Sequence, residues 1–79
     1  MADHYEQIIN ILKTANPYID DIEIDTQIID EGIIDSLQFF FIISEIESRF
    51  NITIAQEDMT PENFSSVKSI NKLFQKYGL

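Results

Sequence analysis

Apolar residues recur at helical spacing at the start of the chain, and this pattern predicts a first helix. The helix carries one apolar stripe at i, i+3 and i+4 positions, made of Tyr5, Ile8, Ile9, Leu12 and Ala15. Asp3, with Glu6 three residues later, has the spacing of a capping box and predicts the start of this helix. The dipeptide Asn16-Pro17 predicts its end, because the residue before a proline is pushed out of the helical region.

Two further helices are predicted in the second half of the chain. One runs from Ser36 to Phe50, a stretch that contains neither proline nor glycine, and residues 51–54 then form an extended passage. Thr60-Pro61 places a capping residue before a proline, which predicts a short helix or turn through Phe64. Ser66 caps a last helix that Gly78 ends, with a shared apolar face of Val67, Ile70, Leu73, Phe74 and Tyr77.

The phases of these helices predict the core. Its expected members are Ile8, Leu12, Phe39, Ile42, Ile43, Ile46, Phe50, Ile54, Val67, Ile70, Leu73 and Phe74.

The connection over residues 16–35 keeps no regular period. Its apolar positions can fasten it to the helices, and they are Ile19, Ile22, Ile24, Ile28 and Ile29. A short strand over residues 22–24 and a single helical turn over residues 26–29 are both open at this point. Gly32 can take a positive φ just before the next helix.

Size and charge narrow the class of protein. The 79 residues suffice for one domain, residues 1–79. Five basic residues against fourteen acidic ones give a net charge of -9, which argues against nucleic acid and anionic membrane partners and favours steering toward basic partners. The absence of cysteine excludes disulfides and thiolate metal sites. We find neither a secretory signal nor a run of membrane-spanning length, so we expect a monomeric cytoplasmic protein without membrane insertion.

Catalytic and metal sites are not indicated. His4 is the only histidine, and we expect it in a frayed N-terminus. Ser36 lacks the G-x-S-x-G elbow of a nucleophilic serine. The acidic residues 21–25 fail as a calcium loop, because Thr26 and Gly32 occupy the positions that need glycine and glutamate. We therefore predict no catalytic residues, no metal ligands and no enzyme activity.

The junction of residues 30–37, with sequence DEGIIDSL, resembles the attachment motif of the acyl carrier protein family. Gly32 precedes Asp35-Ser36-Leu37 at the start of the second helix, after a long first loop. Residues 45–54 and 60–67 are also similar to that family, so the resemblance covers nearly the whole chain. The bulky Ile33-Ile34 is more like D-alanyl, aminoacyl or peptidyl carriers than like the carrier of primary fatty acid synthesis.

The resemblance implies an all-α, acyl-carrier-like four-helix bundle with a long first loop and a short third helix. It further implies that a phosphopantetheinyl transferase attaches 4′-phosphopantetheine from coenzyme A to Ser36. The arm then holds an acyl or aminoacyl group as a thioester, received from an activating ligase and delivered to a downstream synthase or transferase. Asp35 caps the helix and in the family helps to position metal and serine, and Gly32 lets the loop turn.

The phase of the second helix places an apolar surface beside Ser36. With Ile46 at the centre of the buried face, the outer and flanking positions form a candidate partner surface: Leu37, Phe40, Phe41, Ser44 and Glu47. For Phe40, burial under the long loop is an equal alternative. Two other interpretations of the chain stay open: a helical adaptor that binds partners and carries nothing, and an acidic buffer of divalent cations.

Overall fold

Three α-helices form the frame of the protein in the computed structural model, which describes residues 3–79. They are α1 (Tyr5–Ala15), α2 (Ser36–Phe50) and α3 (Val67–Lys76), and a 3₁₀ helix spans Gln56–Asp58. α1 packs against both other α-helices. No strand occurs in this part of the chain, so the all-α prediction is confirmed, as are the bounds of α2. Among these helices, none has the length and apolar character needed to cross a bilayer.

The predicted short third helix is a turn in this structure. The backbone N–H of Asn63 donates to the carbonyl of Thr60 and that of Phe64 donates to the carbonyl of Pro61, both at 3.2 Å. These are i+3 bonds of the 3₁₀ type, and no helix is assigned over residues 60–64. The proline therefore starts a turn, which was the second of the two forms that the sequence allowed.

The start of α1 differs from its prediction, because tertiary contacts override the local capping signal. His4, not Asp3, is the N-cap, and it makes no side-chain capping bond, so the Asp3–Glu6 capping box is wrong. The His4 backbone N–H donates to Asn71 Oδ1 at 2.7 Å, and its ring lies 5.3 Å from the ring of Phe50. The expectation of a frayed terminus at His4 is also wrong, since the side chain is half-buried with both ring nitrogens inside.

Most of the predicted core residues are buried, and the connections between the helices contribute further core residues. All predicted core residues are buried except Phe39 and Phe50, which are partly buried and pack against the edge of the core. Four buried apolar residues were not predicted: Ile11, Ile28, Ile34 and Phe64. Three of these lie in irregular segments, where no period indicates which side chains point inward.

The long connection over residues 16–35 is fastened to the rest of the chain by its backbone. The N–H of Ile28 donates to the carbonyl of Ser65 at 2.9 Å, and the N–H of Lys68 donates to the carbonyl of Ile24 at 2.8 Å. Its turns include one closed by the bond from the Thr26 N–H to the Glu23 carbonyl at 3.2 Å and one closed by the bond from the Glu31 N–H to the Gln27 carbonyl at 3.0 Å, and no strand forms. The connection is thus a fixed support for the residues that lead into α2.

A polar cluster holds the 3₁₀ helix to the end of α3. Lys76 Nζ lies 2.8 Å from Asp58 Oδ1, and the Tyr77 hydroxyl donates to Asp58 Oδ2 at 2.6 Å. The Tyr77 oxygen also accepts the N–H of Ala55 at 2.9 Å. The hydrogen bonds from Lys76 and then Tyr77 lower the pKa of Asp58, whereas burial, followed by the bond to Asp58, raises the pKa of Tyr77.

Candidate functional site

Ser36 is the first residue of α2, and its side chain is exposed. Asp35 is the N-cap, as predicted, and its Oδ1 accepts the backbone N–H of Gln38 at 2.9 Å. Gln38 Oε1 in turn accepts the N–H of Asp35 at 2.9 Å, which completes a capping box. The serine therefore lies between two residues that fix each other.

The backbone around Ser36 leaves donors free for an anion. Within residues 3–79, no acceptor bonds the N–H of Ser36 or of Leu37. The first turn of α2 also contains no acidic residue. Free N–H groups and the positive end of the helix dipole favour a negative group at this point. A phosphate on the Ser36 oxygen fits this environment.

Gly32 takes the positive φ predicted for it, at +72°. A Cβ at this position would meet no atom within 4 Å, so the backbone angle, and not space, favours glycine here. The turn directs the chain so that Ile34 enters the core and Asp35 reaches the cap of α2. The N–H of Ile34 donates to the carbonyl of Ile28 at 2.9 Å, which closes this turn.

An open apolar groove of about 460 Å³ lies next to the serine. Its walls come from the long connection, from α2 and from the segment after the 3₁₀ helix: Ile29, Ile34, Asp35, Ser36, Phe39, Phe40, Met59 and Pro61. Phe39 packs edge-on against Phe64, with ring centroids 5.1 Å apart. The groove was not predicted, because its walls come from segments far apart in the sequence.

The outer face of α2 carries exposed apolar side chains beside Ser36. Leu37 is 82% exposed, Phe40 64% and Phe41 40%. Of the two alternatives for Phe40, exposure is therefore the one observed. Ser44 is exposed as well, whereas Glu47 is half-buried and its Oε2 accepts the N–H of Ile54 at 2.9 Å. All five predicted partner residues lie on α2, and Glu47 also binds the backbone of the extended passage that follows this helix.

Negative charge is concentrated in the long connection that leads to this site. From residue 14 to residue 48 the chain contains neither Lys nor Arg. The same stretch carries exposed carboxylates at Asp20, Asp21, Glu23, Asp25, Asp30, Glu31 and Asp35. The connection that leads to α2 therefore presents exposed carboxylates and no basic side chain.

The Ser36 hydroxyl has no visible activating group. In the described part of the chain, no hydrogen bond joins it to another side chain, and the single histidine, His4, packs against Phe50 at the other end of α2. No group of three His, Cys, Asp or Glu side chains among residues 3–79 is arranged to hold a metal ion.

Comparison with known proteins agrees with this geometry. A family model described as the phosphopantetheine attachment site matches residues 6–74. The chain belongs to this family of phosphopantetheine carrier proteins. The carrier is 31% identical over 70 residues to the D-alanyl carrier protein of Streptococcus suis, with 86% of each chain covered. It is 29% identical over 68 residues to the D-alanyl carrier protein of Lactococcus lactis subsp. cremoris, with 82% and 84% covered.

A solved structure shares the fold. A chain in the crystal structure of a Bradyrhizobium japonicum glycine:[carrier protein] ligase complexed with glycylated carrier protein matches with a TM-score of 0.77. The two are 25% identical, and the match covers 87% of this carrier and 95% of that chain. The predicted resemblance to carrier proteins is confirmed, and with it the dependence on phosphopantetheine.

Proposed function

We propose that Ser36 is the attachment point of the carrier's 4′-phosphopantetheine arm, which holds an aminoacyl group as a thioester. The observation that carries this proposal is the exposed Ser36 hydroxyl at the start of α2, inside the matched family region and next to two free backbone N–H groups. A phosphopantetheinyl transferase supplies the arm from coenzyme A. The carrier itself only presents the hydroxyl and later the loaded arm, and it has no catalytic residue of its own.

The residues around Ser36 are suited to the arm. The N–H groups of Ser36 and Leu37 face the future phosphate, and Asp35 and Gly32 hold the serine at the helix start. The exposed Asp35 carboxylate can also help to bring the metal of the transferase reaction to the serine. The apolar part of the arm can lie along the groove beside Phe40 and Met59. When bound, the arm supplies the thiol that this cysteine-free chain lacks.

An amino acid is the cargo that the comparisons favour. The relatives from Streptococcus and Lactococcus are D-alanyl carrier proteins, and the structural neighbour is glycylated. We therefore propose an amino acid:carrier ligase as the loading partner and a transferase or synthase as the receiving one.

The partner surface that we propose is the exposed face of α2: Leu37, Phe40, Phe41 and Ser44, with Glu47 at its edge. Its apolar centre and the acidic connection that leads to α2 suit a partner with an apolar pocket surrounded by Lys or Arg. The same acidity argues against nucleic acid as a partner.

The domain boundaries, the oligomeric state and the location of the carrier are part of the same proposal. We propose that residues 1–79 form one monomeric carrier domain in the cytoplasm, where coenzyme A supplies the arm. The turn over residues 60–64 stands where the family has its short third helix, so it takes the place of a fourth helix in the bundle.

Intact-mass measurement tests the attachment. The full chain, incubated with coenzyme A, Mg²⁺ and a broad-specificity transferase, should gain one arm, and Ser36→Ala should gain none. Because Asp35 and not Ser36 makes the capping bond, the variant should melt within a few degrees of the unchanged protein. Ser48→Ala, at an exposed position on the same helix, is the matched control and should be modified normally. Modification of Ser36→Ala would contradict the site, and an unmodified wild-type chain would favour the adaptor.

A further inference from the structure

Two side-chain amides connect the end of α1 to the segment that carries the attachment serine. Asn16 Nδ2 donates to the carbonyl of Ile33 at 2.9 Å. Gln38 Nε2 donates to the carbonyl of Ala15 at 3.3 Å. The first bond joins residues 17 positions apart in the sequence and the second joins residues 23 positions apart. Ser36 lies between Ile33 and Gln38, the two residues at which the bonds meet its segment. The segment is therefore fastened to α1 on both sides of the serine.

Each amide uses its oxygen for a different, local bond. Asn16 Oδ1 accepts the N–H of Tyr18 at 3.1 Å, and Gln38 Oε1 accepts the N–H of Asp35 at 2.9 Å. A carboxylate could accept both of these local bonds, but it has no N–H to donate. The crossing bonds are thus the part of this arrangement that needs amides, in a chain where acids outnumber bases by fourteen to five.

We propose that Asn16 and Gln38 are positioning residues for arm attachment, which hold the Ser36 hydroxyl where the transferase can use it. The inference rests on the proposed attachment at Ser36. Transfer of the arm requires the serine oxygen to meet the phosphorus in line, and a displacement of about 1 Å can cost a reaction up to about a hundredfold. Ser36 opens α2 where the long connection ends, and these two bonds tie this junction to the end of α1.

Amide-to-acid exchanges remove the crossing bonds and keep the local ones. In Asn16→Asp and Gln38→Glu the local acceptor is retained and the donor is lost. Gln38→Glu also keeps the capping box and adds an acid to the first turn of α2, which favours the helix. Its melting temperature should therefore stay the same or rise while attachment becomes slower, and a merely structural role would move both in the same direction.

The experiment measures kcat and KM of the transferase with the full chain as substrate. We expect each exchange to lower kcat by about three- to tenfold, because a net hydrogen bond changes an equilibrium by roughly that factor. KM should not rise, since the added negative charge favours a basic partner. Asn10→Asp and Gln7→Glu are matched controls, because both side chains are exposed and form no hydrogen bond within residues 3–79, and they should leave kcat unchanged.

The outcomes separate this inference from the function on which it rests. A modified wild-type chain with an equal kcat for Gln38→Glu would overturn the positioning role alone. A kcat that falls equally in the two controls would overturn it as well, and so would a kcat that falls for Gln38→Glu but not for Asn16→Asp, since the effect would then be one of charge. Failure of the wild-type chain to take up any arm would overturn the attachment site and this inference together. Rates are compared at a temperature at which circular dichroism shows every variant folded.

Discussion

Replacement of Ile46 by alanine tests how the fold is held together. Ile46 is 0% exposed and lies on α2 among core residues that include Ile42 and Ile43. The exchange deletes three carbon atoms, and at about 0.8 kcal/mol for each buried CH₂ the lost transfer free energy is roughly 2.4 kcal/mol. The cavity left behind adds to this, so the total should fall near about 3–4 kcal/mol.

That loss is large for a chain of 79 residues. Domains have about 0.05–0.15 kcal/mol of stability per residue, which gives this one roughly 4–12 kcal/mol. For a domain of this size each kcal/mol shifts the melting temperature by about 4–8 °C, so Ile46→Ala should melt about 12–30 °C lower. Thermal unfolding followed by circular dichroism measures the shift, and urea unfolding with an unchanged m-value confirms that it reflects the folded state.

Ile24→Ala is the control for this measurement. It makes the same chemical change at a side chain that is 37% exposed in the long connection. Less apolar surface is lost there and the site can relax, so we expect less than about 1.5 kcal/mol. If the two variants melted at the same temperature, Ile46 would not lie at the centre of the core, and the helical phase that places the partner residues on the outer face would be wrong.

Two other properties can be tested on the same protein. Hydrogen bonds from Lys76 and Tyr77 lower the folded-state pKa of Asp58, so the stability that its carboxylate adds is present above about pH 4, the unfolded pKa, and is lost as the pH falls through the folded pKa. The melting temperature of Asp58→Asn should therefore change less than that of the wild-type protein between about pH 5 and pH 2, and parallel curves of melting temperature against pH would contradict this. Phe41→Ala should leave folding and arm attachment unchanged but reduce kcat/KM for loading by the cognate ligase about tenfold, as expected for an aromatic side chain in an interface. Unchanged loading kinetics, or loss of the fold, would show that Phe41 is not a partner contact.

Local signals explain which parts of the fold the sequence predicted. The bounds of α2 follow from a cap, Asp35, and from a stretch without proline or glycine, and both features act within a few residues. The positive φ of Gly32 is of the same kind. The error at the start of α1 arises where a distant contact decides, since Asn71 and Phe50 hold His4 and move the cap by one residue.

The candidate site shows the same division. Ser36, Asp35 and Gly32 are neighbours in sequence, so a short motif was sufficient to find them. The groove needs Met59 beside Phe40, and nothing in the sequence relates these two residues. Gln38 was the one missed residue with a signal, since Asp35-x-x-Gln38 has the spacing of a capping box. Its bond to the end of α1 depends on packing and could not be predicted.

The charges around Ser36 can serve two functions because they act over different distances. The free N–H groups of Ser36 and Leu37 act on a phosphate in direct contact, where the positive end of α2 is effective only within its first turn. The carboxylates of the long connection act on a whole approaching protein, over a screening length of about 8–10 Å. A carboxylate at position 38 would add to the second effect and weaken the first, since it would place negative charge in the turn that receives the phosphate. The neutral Gln38 keeps that turn favourable for the arm, while Asp30 and Glu31 still direct basic partners toward it.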